Sequence, residues 1–205
     1  EIVSRDWSSD VCSSDLYGDI VSGAYELTST LATKYYGVGD SRRQINALKN
    51  TINYYYKNSK SFQYSKFSQA ALSQISIPSI FYGSQIQKGS VELEFYYTGT
   101  LIAKAQDTRR NGELIQTYGT SSLSGSVVGV VLYNEGFIVL TGSWTLESGV
   151  ARNYLDDLGT LVTSSWVYFG NGLNGNIITP SGQLSDVASN IYFEGTTTTP
   201  VVTLF

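Results

Sequence analysis

The chain has 205 residues, with 13 basic and 17 acidic side chains, no histidine, no methionine and one cysteine. The missing histidine excludes a Ser-His-Asp arrangement, and a single cysteine excludes a disulfide within the chain and the usual zinc sites. The length suits one large domain or two small ones, and it is enough to bury a core without disulfides.

That cysteine, Cys12, sits in an unusual segment. Residues 6–16, DWSSDVCSSDL, resemble residue for residue one reading frame of a common sequencing-library adapter, and residues 1–5 fit the primer and index bases before it. Residues 1–16 are therefore expected to be an artefact that packs poorly, and they are set aside before fold reasoning. They hold one base and four acids, so the other 189 residues carry 12 basic and 13 acidic side chains, a net charge of −1. A nearly neutral chain gives no electrostatic reason to expect nucleic acid or an anionic membrane as partner. The longest apolar stretch, residues 127–140, is broken by Asn134-Glu135-Gly136, so a membrane span is not expected.

Residues 17–60 read as a helical segment. Leu27, Leu31 and Tyr35 recur every fourth residue, which places them on one helix face. Gly37 and Gly39 interrupt the pattern, and Asp40 or Ser41 is placed to cap a second helix over residues 41–57. Ile45, Leu48, Ile52 and Tyr55 form its apolar stripe; Arg43, Asn46, Asn50 and Asn53 lie opposite. Residues 61–205 read as a mainly β domain. Ile75-Ser76-Ile77 meets Pro78, a strand end or an edge. Val91 to Tyr97 alternates with period two, turns at Thr98-Gly99-Thr100 and returns through Leu101 to Ala105. Residues 113–118 make a third strand. Asn134-Glu135-Gly136 joins residues 127–133 to 137–141, the strongest hairpin signal, and both strands are apolar enough to be buried on both faces. Residues 155–159 suggest a short helix or turn, residues 164–169 a strand, and residues 191–205 a strand, a turn and a strand. Phe205 ends in mid-pattern, so a truncated C-terminus is expected. The expected class is α+β, mainly antiparallel β: N-terminal helices followed by a β-sandwich-like or barrel-like sheet domain.

Several constellations invite a chemical reading. Glu92 and Glu94 share a strand face, and a glycosidase needs two carboxylates about 5–10 Å apart across a cleft. The simpler reading makes Glu92, Glu94 and Tyr96 the solvated face opposite Val91, Leu93 and Phe95. Asp156-Asp157 lacks the alternating oxygen ligands and closing glutamate of a calcium loop. Arg109-Arg110 could grip a phosphate or a carboxylate, but the pair reads first as a solvated turn and second as a rim contact at a subunit interface. Gly37-Val38-Gly39-Asp40 lacks the strand and lysine of a phosphate loop. Tyr54, Tyr55, Tyr56, Phe62, Tyr64 and Phe67 suit core and interface packing better than a stacking platform. No catalytic, cofactor-binding or metal-ligating residue is assigned, and no cofactor is expected.

Three blocks carry a resemblance: Gly39 to Leu48 with Ile52 to Tyr56; Ile75 to Gly83 with Ile86 to Val91; and Val130 to Thr141. They resemble virion structural proteins of contractile-tailed bacteriophages, of the kind abundant in environmental metagenomes. The resemblance implies a non-enzymatic neck, tail or baseplate component located in the virion. Its partners would be other virion proteins or copies of itself, in an oligomeric assembly, with Tyr54 to Tyr56 and the hairpin of residues 127–141 as structural or interface residues. Two other readings remain. One is a carbohydrate-binding or adhesin-like β module, with Trp144 and Trp166 stacking on sugars. The weaker one is a carboxylate-based glycosidase built on Glu92 or Glu94.

Overall fold

The structure, a computed structural model, describes residues 20–26, 31–156, 159–171, 177–178, 184–185 and 187–197. Two strands come first, β1 (Ile20–Glu26) and β2 (Ala32–Tyr36). Three short helices follow, α1 (Arg43–Ala47), α2 (Lys49–Tyr55) and α3 (Tyr64–Gln69). Next come β3 (Leu72–Ser76), β4 (Gln85–Ile86), β5 (Glu92–Tyr97), β6 (Thr100–Gln106), β7 (Glu113–Tyr118), β8 (Val127–Leu132) and β9 (Phe137–Leu140). The chain continues through β10 (Asn153–Leu155), β11 (Leu161–Thr163), β12 (Ile177–Ile178), β13 (Leu184–Ser185) and β14 (Val187–Thr196).

The main sheet runs β1-β14-β5-β6-β7-β8-β9-β3-β2, antiparallel throughout, with β4 added to the end of β14. The register shifts between Phe95 and Tyr96, between Lys104 and Ala105, and between Leu114 and Ile115. Each shift is a bulge on a neighbouring strand pair, and bulges bend a sheet and increase its twist. Three in succession curl the middle of the sheet, so the fold is α+β with a barrel-like, half-barrel sheet.

Two layers cover the sheet. Adjacent residues of a strand point to opposite faces. Tyr36 donates its hydroxyl to Gln44 of α1 at 2.6 Å, whereas Tyr35 stacks on Tyr168 with ring centroids 4.9 Å apart. The helices therefore lie on one face, and the 3₁₀ turn Trp166–Tyr168 lies on the other. Ile45, Ile52, Phe62 and Phe67 seat the helical layer, while Tyr154, Trp166 and Phe169 fill the opposite side. Between these layers Val128, Val130, Val131 and Leu132 of β8 and Ile138, Val139 and Leu140 of β9 are buried, as expected for strands apolar at nearly every position.

The turn of that hairpin has a tight constraint. Gly136 has φ +68°, in the left-handed region, and its N–H donates to Leu132 O at 2.9 Å. A Cβ there would lie 2.4 Å from the Tyr82 ring and 2.5 Å from Ile77 O. Gly136→Ala is expected to cost roughly 1–3 kcal/mol, from backbone strain and overpacking together. Chemical denaturation followed by far-UV circular dichroism checks it; an unchanged midpoint would contradict this packing.

Four local expectations are corrected. Residues 17–36 are not helical where described: Ile20–Glu26 and Ala32–Tyr36 are strands, and the helices of the 17–60 segment begin at Arg43. A spacing of four fits the period of a strand as well as that of a helix, so Leu27, Leu31 and Tyr35 could not decide the matter. Leu27 itself lies outside the described residues. The helix expected over residues 41–57 is two helices meeting at Leu48, and its first cap position is Arg42, with no side-chain cap. Asp40 instead accepts the Gly37 N–H at 2.6 Å and closes the preceding turn. The strand expected over residues 164–169 is instead a 3₁₀ turn at Trp166–Tyr168, because Trp166, Val167 and Phe169 are all buried and no solvated face remains for an alternating strand. Finally, Glu92 and Glu94 do not form a freely solvated face, as described below. The expectations for residues 1–16 and for residues 198–205 lie outside the described residues.

Candidate functional site

The curled strands β5 and β6 bring the acidic pair to one place. Glu92 pairs with Gln106 and Glu94 with Lys104 across the ladder, so Lys104 lies between the two carboxylates. Its ammonium is 2.6 Å from Glu92 and 2.9 Å from Glu94. Tyr96 donates to the second oxygen of Glu94 at 2.8 Å, and Gln106 donates to Glu92. Burial works against the Glu94 charge, yet hydrogen bonds from Lys104 and Tyr96 bring its carboxyl below the ordinary value. A hydrogen bond to Glu92, then one to Glu94, holds the Lys104 ammonium above its usual range. A glycosidase acid needs the opposite shift, upward toward neutral pH. The pair is built as an ion-pair network that ties two strands.

A second carboxylate is the hub of the loop before α3. Glu113, at the start of β7, accepts from Ser59, from Ser61 at 2.7 Å and from Arg109 at 2.7 Å, with Asn111 at 3.3 Å. Burial raises its pKa, but these four donors outweigh it and hold the carboxyl down to about 2. The folded-state pKa lies below the unfolded value near 4.5, so Glu113 contributes stability that is full above pH ~4.5 and lost as pH falls toward about 2. Acid titration of the unfolding midpoint should show this descent, and Glu113→Gln should flatten it while lowering stability at pH 7. A variant with the same acid profile would contradict the assignment. Arg109 is thus one donor of this hub, while Arg110, at φ +54°, packs its stem over Gly89.

The tryptophans proposed for sugar stacking serve the core. Trp166 is fully buried and Trp144 partly so, and both indole N–H groups donate to Gln116 Oε1, at 3.0 and 3.1 Å. Asp156 accepts the Thr160 N–H at 2.8 Å between β10 and β11, and residues 157–158 of the expected helix or turn lie outside the described residues.

The helical aromatics divide by face. Tyr55, Phe62 and Phe67 are buried, Tyr64 donates to Asn46, and Tyr54 and Tyr56 are exposed, at 68% and 45%. Beside Tyr54 runs a groove of about 290 Å³, lined by Tyr55, Lys57, Asn58, Gln85, Lys88 and Asn134. Lys57 stands 5.7 Å from the Tyr54 ring centroid and Lys88 5.9 Å from that of Tyr133. The sequence singled out Tyr54 to Tyr56 as a group. It missed Lys57 and Lys88, which are 31 positions apart and line one groove only in the folded chain.

No family model, curated protein or solved structure matches the chain.

Proposed function

We propose that this chain is a non-catalytic structural component of a contractile-tailed phage particle, in the neck, tail or baseplate, that assembles with copies of itself and with neighbouring virion proteins. The observation that carries the assembly reading is the α2 face. A helix whose inner side is seated on the sheet through Ile52 and Tyr55 presents Tyr54 and Tyr56 outward, next to a groove with two lysines. Exposed tyrosine is enriched at protein interfaces, because it offers apolar area with a polar tip. The open edge of β2, which pairs only with β3 among the described residues, offers a second contact of the backbone type. The phage assignment itself rests on the three sequence blocks.

Burial of Trp166 and the indole–Gln116 bonds favour assembly over the adhesin reading that relied on Trp144 and Trp166. The ion pairing of Glu92 and Glu94 favours it over the glycosidase reading. The flanking genes test the class. Tail, neck or capsid genes on either side support it, and a carbohydrate-utilisation cluster contradicts it.

A further inference from the structure

A larger cavity, about 470 Å³, opens at the far end of the curled strands, away from the α2 face. Its walls come from the β5–β6 turn, the end of β7 and the tight turn of residues 147–152, and include Tyr97, Thr100, Tyr118, Gly119, Glu147 and Arg152. The volume falls within the roughly 300–1,000 Å³ of small-molecule sites.

Its chemistry is specific. A bridge between Glu147 and Val150 folds this turn back on itself, and Arg152 donates to Glu147 through Nε at 2.6 Å and Nη2 at 3.4 Å. The guanidinium also lies 5.4 Å from the Tyr97 ring centroid. The two charges neutralise each other, so a cation would compete with Arg152 and an anion with Glu147. Arg152 Nη1 has no partner among the described residues, and a carboxylate keeps further lone pairs beyond the two it uses. Tyr118 is half exposed, with its ring available at the mouth.

Beneath the wall lies an uncommitted donor. Gln116 is buried, and its Oε1 takes both indole N–H groups. Two donors facing one amide end fix its orientation, since the flipped amide would point NH₂ at N–H. Gln116 Nε2 is thereby turned toward Gly119, where an added Cβ would sit 2.7 Å from it, and it has no partner among the described residues.

We propose that this cavity binds a neutral hexopyranose, such as the terminal unit of a glycan. The C–H face of the sugar lies against the electron-rich face of Tyr118. Its hydroxyls accept from Arg152 and donate to Glu147. This site is independent of the assembly face and of the buried tryptophans.

The test is a ¹⁵N-correlation NMR titration of the full chain with glucose, galactose, mannose and N-acetylglucosamine, and with glucuronate, glucosamine and glucose 6-phosphate as charged probes. At least one neutral sugar is expected to bind with a dissociation constant on the order of 1 mM, shifting the Gly119 and Thr120 amides. Tyr118→Ala and Glu147→Gln should each weaken binding about tenfold, with thermal melts verifying that both fold; Ile80→Ser, at an exposed distant site, should bind as the parent does. Absence of binding by all four neutral sugars would overturn the proposal. So would unchanged affinity in both cavity variants, or tighter binding of a charged probe.

Discussion

Trp166→Ala is expected to destabilise the protein by about 3–5 kcal/mol, the range for truncating a fully buried tryptophan. Trp166 is 0% exposed, stacks on Phe169 at 5.9 Å between centroids, and would lie 3.0 Å from a Cβ placed on Gly142. Its layer has little freedom to collapse, because Phe169 also packs on Phe95 and Val167 is tied by its N–H to Gly142 O at 3.1 Å. A cavity left in a site that cannot relax carries the larger cost. Trp166→Phe keeps an aromatic ring but loses part of the indole volume and the N–H to Gln116, so it should fall between the parent and the alanine variant. Urea unfolding followed by far-UV circular dichroism measures both, without using tryptophan emission as the probe. A loss below ~1 kcal/mol for Trp166→Ala would mean that this face of the sheet is not the core described above.

Arg42→Ala is expected to cost on the order of 3 kcal/mol, by removing the donor to three carbonyls, of which Gly37 O keeps only the long bond from the Asp40 N–H at 3.4 Å. Arg42 is 5% exposed, and its guanidinium donates to Gly37 O, Phe67 O and Ala70 O, each at 2.6 Å. Two of those oxygens end α3, where the last carbonyls of a helix lack partners in the helix and attract a cation. One side chain thus joins the turn after β2, the start of α1 and the end of α3. Arg42→Lys keeps the charge but lacks the planar fork, so it should recover only part of the loss. If lysine restored full stability, the charge rather than the three-carbonyl geometry would be the cause.

Arg42 also marks where sequence reading stops. Nothing in the spacing of Arg42 and Arg43 separates a buried clamp from a solvated side chain, and the difference arises from α3, more than twenty positions away. By contrast the β8–β9 hairpin was legible, because Asn134-Glu135-Gly136 specifies a turn and the flanking valines and isoleucines leave no polar face. The helical stripe of Ile45, Leu48, Ile52 and Tyr55 was legible for a similar reason, with Arg43, Asn46, Asn50 and Asn53 exposed opposite it. The strands before it were not, since their apolar spacing suits both periods. Glu94 reads as solvated by alternation alone. It is buried because Lys104 arrives from the next strand to neutralise it. The cavity at the β5–β6 turn had no linear signature: Tyr97, Tyr118, Glu147 and Arg152 span 55 positions and meet only in the folded sheet.

The assembly reading turns on whether the exposed tyrosines of α2 join one copy to another. Sedimentation velocity of the full chain over rising concentration, beside a Tyr54→Ser/Tyr56→Ser double variant, measures this directly. Both side chains are exposed, so the substitutions should leave the fold intact. The expected result is a parent chain whose weight-average mass climbs above that of the monomer while the variant stays monomeric. A parent chain that remains a monomer throughout, or a variant that associates equally well, would contradict it.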